Sequence, residues 1–172
     1  MEELIKVPEE RIGALIGPKG KTRREIEKKT KATVMIDSGT GEVTVTGEGE
    51  GFFKAADIVK AIARGFSPER AFKLLEDDYL LKIVDVIDFA GKNPSSQKAK
   101  KGRVIGREGL IRRQIEKKTH SLISVYGKTV SIIARLDELE AALQAVEMLL
   151  EGAEHETMEY YLEKKSKDRF EL

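Results

Sequence analysis

The sequence predicts an α+β protein made of two related units in tandem, each with a three-stranded sheet and helices on one face. The first observation is an internal repeat, because residues 16–30 and 105–119 are identical at ten of fifteen positions. The second is that the same succession of alternating and helical apolar patterns follows each copy. Two copies separated by about a domain's length indicate two related domains.

Each unit is predicted to run strand, helix, glycine turn, helix, strand, strand and helix. A strand precedes each repeat, and alternating apolar residues on both sides of a Gly-containing turn predict a hairpin after it. Apolar residues at three- and four-residue spacing then predict a closing helix. In the first unit the predicted strand covers residues 3–7, the hairpin 32–47 and the closing helix 52–66. In the second unit the strand covers residues 80–89, the hairpin 121–134 and the closing helix 137–152.

Two stretches lie outside the duplication. Residues 67–79 open with Ser-Pro-Glu, a helix start, and are predicted to form a connecting helix. Residues 154–172 are predicted to form a C-terminal helix that packs onto the second unit. We therefore expect a first domain over residues 1–78, which includes the connecting helix, and a second domain over residues 79–172.

An insertion distinguishes the second unit from the first. Residues 91–102 contain KNPSSQKAKK, a polar and basic composition that is typical of flexible segments. Two interpretations stand side by side. The segment is either a disordered surface loop or a basic arm that orders as it closes over nucleic acid.

The glycine turn of each repeat has the features of a phosphate-binding site. Residues 17–20 read Gly-Pro-Lys-Gly and residues 106–109 read Gly-Arg-Glu-Gly. Two glycines three residues apart let the backbone turn sharply and leave room for a ligand. The helix that follows begins with unpaired amides, which attract anions. One such motif is a weak signal, but its duplication in the same context favours a binding function over a purely structural one.

Charge is concentrated at these turns, although the formal net charge of the whole chain is only +1. Residues 11–31 carry eight basic and two acidic side chains, residues 92–118 carry ten and two, and residues 136–172 carry four and eleven. Local basic clustering is the electrostatic footprint of phosphate binding. Helical ion pairs on a solvated face would explain part of this charge, but not two basic maxima at the same motif.

The pattern Ile-Gly-x-x-Gly, followed by a helix, a Thr and a hairpin, resembles the K-homology (KH) domain, which grips about four single-stranded nucleotides beside its glycine loop. The resemblance covers nearly the whole chain, as two tandem type I KH domains. The segments GKTRREIEKKTKATVMID, VTVTG and AIARGFSPERAFKLL more narrowly resemble archaeal KH proteins of ribosome assembly. Those proteins are similar to the eukaryotic KH partner of the Nob endonuclease and to the Krr processome protein.

This resemblance implies a cytoplasmic, non-enzymatic factor that binds single-stranded small-subunit ribosomal RNA near its 3′ end and meets other assembly or translation proteins. Many KH domains carry an apolar residue three positions after the second glycine, where this chain has Arg23 and Arg112. Glu108 places an acid where a phosphate would pass, so the first turn, with Lys19 and Lys21, is expected to be the stronger anion site on charge alone.

The expected contacts with RNA follow from the two turns and their surroundings. Apolar residues are expected to line the groove in which bases lie, because aromatic residues are scarce near either turn. These groove residues are Ile16, Val34, Ile36, Ile105, Ile123 and Val125. The predicted RNA-binding residues are Ile16, Gly17, Pro18, Lys19, Gly20, Lys21, Arg23, Arg24, Lys101, Arg103, Ile105, Gly106, Arg107, Glu108, Gly109, Arg112 and Arg113.

Enzyme classes find little support in the sequence. Gly20-Lys21-Thr22 resembles the end of a P-loop, but that loop needs a glycine where Leu15 stands, and the second repeat lacks the Lys-Thr pair. The two histidines are far apart and the chain has no cysteine, so no metal site, cofactor or catalytic triad is expected.

One alternative stays open: a protein-interaction scaffold in which one or both KH units do not bind RNA.

No apolar run approaches the ~20 residues of a membrane span, and the N-terminus lacks a secretory pattern, which favours a cytoplasmic protein. The low content of Asn and Gln with abundant Glu and Lys is typical of proteins adapted to heat.

Overall fold

The computed structural model describes the backbone of residues 1–170 and the side chains of residues 1–168. The chain divides into two units, Met1–Tyr79 and Leu80–Leu172. Each contains the strand, helix, turn, helix, strand, strand and helix that the duplication predicts. The α+β fold class with two three-stranded sheets is therefore confirmed.

The first unit contains three strands and four α-helices, with 3-10 turns at Pro18–Gly20 and Phe72–Leu75. Its elements are β1 (Glu2–Lys6), α1 (Glu9–Ile16), α2 (Lys21–Thr30), β2 (Thr33–Asp37), β3 (Glu42–Thr46), α3 (Gly49–Ala63) and α4 (Pro68–Ala71).

The second unit repeats this order with one added short helix before its first long one, and its 3-10 turn covers Arg107–Gly109. Its elements are β4 (Tyr79–Asp85), α5 (Ile87–Ala90), α6 (Pro94–Ile105), α7 (Leu110–Thr119), β5 (Leu122–Tyr126), β6 (Thr129–Arg135), α8 (Leu136–Leu150) and α9 (His155–Phe170).

The strand order places the same element at the edge of each sheet. The orders are β1-β3-β2 and β4-β6-β5, so β2 and β5 each pair on one side only. The antiparallel registers set Val34 opposite Val45 and Ile123 opposite Ile132. The outer edges of β2 and β5 therefore carry backbone groups that the sheet does not use, which matters for the interface below.

The core of each unit lies between the sheet and the helices. In the first unit it includes Ile26 of α2, Val43 and Val45 of β3 and Ile58 of α3, all fully buried. In the second unit the corresponding layer contains Ile115 of α7 together with residues of β6 and α8. The helices that follow the glycine turns are thus fixed to the sheet through their apolar faces.

Two predicted elements are shorter than expected. The strand predicted over residues 80–89 ends at Asp85, because the Asp85 carboxylate accepts a hydrogen bond from the Ile87 amide at 3.0 Å and turns the chain into α5. The connecting helix predicted over residues 67–79 begins as expected, with the Ser67 hydroxyl accepting from the Arg70 amide, but its helical conformation ends at Leu75.

The prediction of a flexible insertion over residues 91–102 was wrong. Most of this segment is the start of α6, the long first helix of the second unit. Asn93 caps the helix by accepting hydrogen bonds from the amides of Ser95 and Ser96 at 2.9 and 3.3 Å, and Pro94 occupies the first helical position. The polar composition of the segment led to the prediction of flexibility, although the helix-starting residues Asn93 and Pro94 were present in the sequence.

The C-terminal helix packs onto the second unit as expected. Met158 and Leu162 are buried in that unit's core, and Tyr161 packs against the same cluster, while Tyr160 is exposed. The last two residues of the predicted helix, 171 and 172, lie outside the described residues. None of the helices described in residues 1–170 has the length and apolar character needed to cross a membrane.

Asp57, partly buried on α3, is expected to make stability depend on pH. Desolvation raises the pKa of its carboxyl, nearby Lys60 lowers it, and nearby Glu3 raises it. Because the folded-state pKa lies above the unfolded value, the charged carboxylate costs stability at neutral pH, and this cost disappears as the pH falls below the unfolded pKa. Asp57→Asn should raise the thermal midpoint by a few degrees at pH 7 and leave it unchanged near pH 3.

Calorimetry at both pH values would check this, with Asp78→Asn at an exposed position as the matched control. An Asp57→Asn effect of equal size at both pH values would contradict the assignment to ionisation.

Candidate nucleic-acid interface

The two glycine turns share one backbone conformation. Gly17, Gly20, Gly106 and Gly109 have φ between +73° and +77°, in the left-handed region that favours glycine. A Cβ on Gly17 would lie 2.7 Å from the Thr22 amide nitrogen, and one on Gly106 would lie 2.9 Å from the corresponding nitrogen in the second repeat. The first glycine of each turn is therefore required by close backbone approach as well as by φ.

A residue with a side chain also adopts positive φ in each turn: Lys19 and Glu108, both at +54°. Each conformation is held by an arginine from the following helix. Arg24 Nη1 donates to the carbonyl oxygen of Lys19 at 2.6 Å, and Arg113 Nη1 donates to that of Glu108 at 2.7 Å. These two arginines were predicted RNA contacts, and the structure places both against the turn backbone, which they stabilise.

The middle side chains of both turns are exposed. In the first turn these are Pro18 and Lys19, followed by the exposed Lys21. In the second turn they are Arg107 and Glu108. A phosphate backbone lying against the first turn would meet two lysines, and against the second an arginine and a glutamate.

The predicted groove beside each turn falls where the following helix contacts the edge strand. Glu27 Oε2 on α2 accepts a hydrogen bond from the Val34 amide of β2 at 3.0 Å. This amide therefore points away from β3 and outward from the open edge of the sheet. In an antiparallel strand the groups two residues on point the same way, so the backbone of Ile36 also faces this side. The equivalent bond in the second unit runs from the Ile123 amide to Glu116 Oε2 at 2.8 Å.

The predicted groove residues fall into two groups. Val34 and Ile123 are each only 1% exposed and belong to the core. The other four retain partial exposure beside the turns and edge strands, where a base could contact them: Ile16, Ile36, Ile105 and Val125.

Arg23 and Arg112 connect the turn to the groove. Arg23 Nη1 lies 2.7 Å from Glu27 Oε1, and Arg112 Nη1 lies 2.8 Å from Glu116 Oε1. Each glutamate therefore bridges an arginine on its own helix and an amide on the edge strand. Sequence reasoning did not select the two glutamates, although their i,i+4 spacing from an arginine in both repeats was a visible signal.

Part of the positive charge near the turns has internal partners. Lys101 Nζ donates to the Gly127 carbonyl oxygen at 2.7 Å, and Arg103 donates to carbonyl oxygens of Leu149 and Ala153 at the end of α8. These two predicted RNA contacts thus hold α6 to its neighbours in the second unit, and a direct role with RNA stays a prediction.

The two histidines have different hydrogen-bond partners. His120 Nδ1 lies 3.2 Å from Glu138 Oε1, while His155 Nε2 lies 3.3 Å from the Arg103 carbonyl oxygen. Across the described residues, no three His, Cys, Asp or Glu side chains gather in a way that could hold a metal ion.

Comparison with known families identifies the two units. Residues 80–167 match the model of the eukaryotic-type KH domain (KH-domain type I), and residues 2–61 match that of the KH domain. The chain belongs to the KH-domain family. The KH identity explains why the Gly-x-x-Gly turn and the open strand edge lie beside one another in both units, since this family clamps single-stranded nucleotides at that loop.

Relatives of this two-KH chain include archaeal and eukaryotic proteins. A KH domain-containing protein of Methanocaldococcus jannaschii is 43% identical over 99% of this chain and 78% of its own length. The pre-rRNA-processing protein pno1 of Emericella nidulans is 30% identical over 58% of this chain and 40% of its own length. A solved complex of a/eIF2alpha, aDim2p and rRNA from Pyrococcus horikoshii contains a similar chain, with a TM-score of 0.91, 44% identity and coverage of 98% of this chain and 95% of that one.

Proposed function

We propose that this protein binds single-stranded ribosomal RNA near the 3′ end of the small-subunit rRNA, as a non-enzymatic factor in pre-rRNA processing and small-subunit assembly. The observation that carries the proposal is the repeated geometry of a positive-φ glycine turn, exposed basic side chains and an open strand edge in both KH units. The similarity to pno1 and to a chain solved with rRNA supports the choice of ribosomal RNA.

Each unit is proposed to act as an RNA-binding domain, with the domain boundary at residues 78 and 79. The proposal places the protein in the cytoplasm, with a translation or assembly protein as a second partner. Support for a protein partner comes from the Pyrococcus horikoshii complex, in which the similar chain is found with a/eIF2alpha as well as rRNA. The RNA-binding residues proposed are those named from the sequence, with the turn residues making the phosphate contacts.

Neutralising the exposed cation of each turn should weaken RNA binding. Lys19→Asn combined with Arg107→Gln removes two charges, and Asn is well tolerated at the positive φ of residue 19. Affinity for a fluorescent single-stranded RNA should fall about tenfold, since each exposed charge contributes up to about 1 kcal/mol. The slope of log K against log salt should become shallower by about 1.4, as about 0.7 is lost per single-strand phosphate contact.

The matched control removes two charges from exposed positions on α9, as Lys164→Gln with Lys167→Gln. It should alter affinity far less. Equal affinity losses in the two double variants would show that net charge, rather than the turns, determines binding. A wild type that bound a/eIF2alpha but not RNA would favour the scaffold function.

A further inference from the structure

We propose that Arg23 and Arg112 select the bases held in the two grooves, favouring a base that presents two adjacent hydrogen-bond acceptors. This inference deepens the proposed RNA-binding function and rests on it. Guanine offers such a pair at O6 and N7, and cytosine at O2 and N3, whereas adenine and uracil alternate acceptors with donors along their edges. The two arginines would therefore read bases, while the turns hold phosphates.

The first support is position. Each arginine follows the second glycine of its turn by three residues, on the helix that forms one wall of the groove. Arg112 Nη2 lies 3.8 Å from the place that a Cβ on Gly109 would occupy, so the guanidinium sits beside the turn. The glutamate that it contacts reaches the amide of the edge strand on the opposite wall. The guanidinium thus lies between the phosphate-binding turn and the open strand edge.

The second support is orientation. The contact with glutamate uses Nη1 in both units, at 2.7 and 2.8 Å. Nε and Nη2 form the opposite, two-pronged edge of the guanidinium, and these atoms have no protein acceptor among the side chains and backbone that the structure describes. Two parallel N–H donors fixed in one plane match two adjacent acceptors on a base.

The third support is how the glutamate is held. Its Oε1 takes the arginine and its Oε2 takes the backbone amide, so the carboxylate cannot rotate without losing one partner. Glu116 has only 12% of its side chain exposed, and Arg112 has 26%. An arginine restrained in this way loses little conformational freedom on binding a base, which favours discrimination over simple charge attraction.

The repetition argues against chance. The same arginine, the same glutamate four residues later and the same strand amide occur in both units. The glycine turns that precede these residues differ, with Lys19 in the first and Glu108 in the second. The contacts from arginine through glutamate to the strand amide are thus the same in both units, whereas the charge at the middle of the turn differs.

The test measures base preference rather than affinity alone. Eight-nucleotide uridine oligomers would carry a central pair of guanines, 7-deazaguanines, cytosines or adenines, and each would be titrated at fixed salt. We expect the wild type to bind the guanine and the cytosine RNAs about tenfold more tightly than the adenine RNA. The 7-deazaguanine RNA should bind like the adenine RNA, because 7-deazaguanine lacks the N7 acceptor.

Two arginine variants separate the planar fork from the charge. Arg23→Met with Arg112→Met should reduce the tenfold preference to about one. Arg23→Lys with Arg112→Lys keeps the ion pairs with glutamate and the charge, and it should also lose the preference while retaining affinity for the adenine RNA. The control, Lys28→Met with Lys117→Met at exposed positions on the same helices, should weaken all RNAs equally and keep the preference.

An unchanged preference in both arginine variants, or a wild type that binds all four RNAs equally with a normal salt dependence, would overturn this inference and leave the proposed function standing. Equal binding of all four RNAs is the result expected if the guanidinium only stacks on bases. Absence of any RNA binding by the folded wild type would instead overturn the proposed function itself.

Discussion

Exchanging the charges of the two turns should change RNA affinity in opposite directions. Lys19→Glu gives position 19 the charge of position 108 and should weaken binding about tenfold. Glu108→Lys gives position 108 the charge of position 19 and should strengthen binding about tenfold. The two side chains occupy equivalent positions, both at φ +54° and both exposed, so each substitution changes charge in the same backbone setting.

The magnitude follows from the loss of one attraction and the gain of one repulsion, each worth about 0.7 kcal/mol at an exposed site. The two single variants should therefore differ about a hundredfold at low salt. Raising the salt concentration should reduce this difference, because the contribution is screened. Anisotropy titrations with one RNA at two salt concentrations would measure it.

The double variant Lys19→Glu with Glu108→Lys is the control, since it restores the total charge. It should bind RNA with an affinity close to that of the wild type if both turns contact phosphate. If one turn contributes more to RNA binding than the other, the affinity of the double variant should change in the direction set by the substitution in that turn. An effect of Lys19→Glu without any effect of Glu108→Lys would contradict a phosphate contact at the second turn.

The first glycine of each turn should be essential for stability. Gly17→Ala places a Cβ 2.2 Å from Thr22 Oγ1 and 2.7 Å from the Thr22 amide nitrogen, at a φ of +73°. The Gly17 conformation, with φ +73° and ψ 171°, costs a residue with a side chain about 1–3 kcal/mol. The overlap adds to this cost, because the amide cannot move without shifting the start of α2. We expect Gly17→Ala to lower the free energy of unfolding by about 3 kcal/mol.

The chain offers a matched control four residues earlier. Gly13 lies within α1, and nothing is found within 4 Å of a Cβ added there. Gly13→Ala should raise the free energy of unfolding by about 0.5–1 kcal/mol, as expected for alanine in a helix. The second unit supplies the same comparison, with Gly106 inside the turn and Gly102 on α6.

Urea unfolding of the four single variants would test this expectation. The two turn variants should be destabilised and the two helix variants stabilised. Equal stability of Gly17→Ala and Gly13→Ala would mean that the turn relaxes around a side chain, and it would remove the argument that close approach fixes this glycine.

The parts of the fold that the sequence predicted well are those set by local patterns. The hairpins and closing helices follow from alternating and helical apolar residues, and the turns follow from paired glycines repeated in both units. The beginning of the connecting segment followed from the cap formed by Ser67 and Pro68. In each case the signal and the structure it specifies lie within a few residues of each other.

Two of the parts that were missed also depend on partners distant in sequence, although α6 has a local N-terminal cap. Val104 is the one buried apolar residue of α6, all of which the structure describes, and the helix is held by contacts such as the bond from Lys100 Nζ to the Leu150 carbonyl oxygen. Composition alone therefore suggested a flexible segment. The bridge from Arg23 through Glu27 to Val34 requires α2 and the edge of β2 to lie side by side, which becomes visible only in the folded unit.

We propose that RNA lies against both glycine turns and along the adjacent strand edges. Backbone amide chemical shifts, recorded while a short single-stranded RNA is added to the labelled protein, test it most directly. We expect the largest changes at Gly17, Lys19, Gly20 and residues 106–109, since Pro18 has no amide proton, with smaller changes along β2 and β5. Changes confined to α9 and the remaining surface, with both turns unaffected, would contradict it.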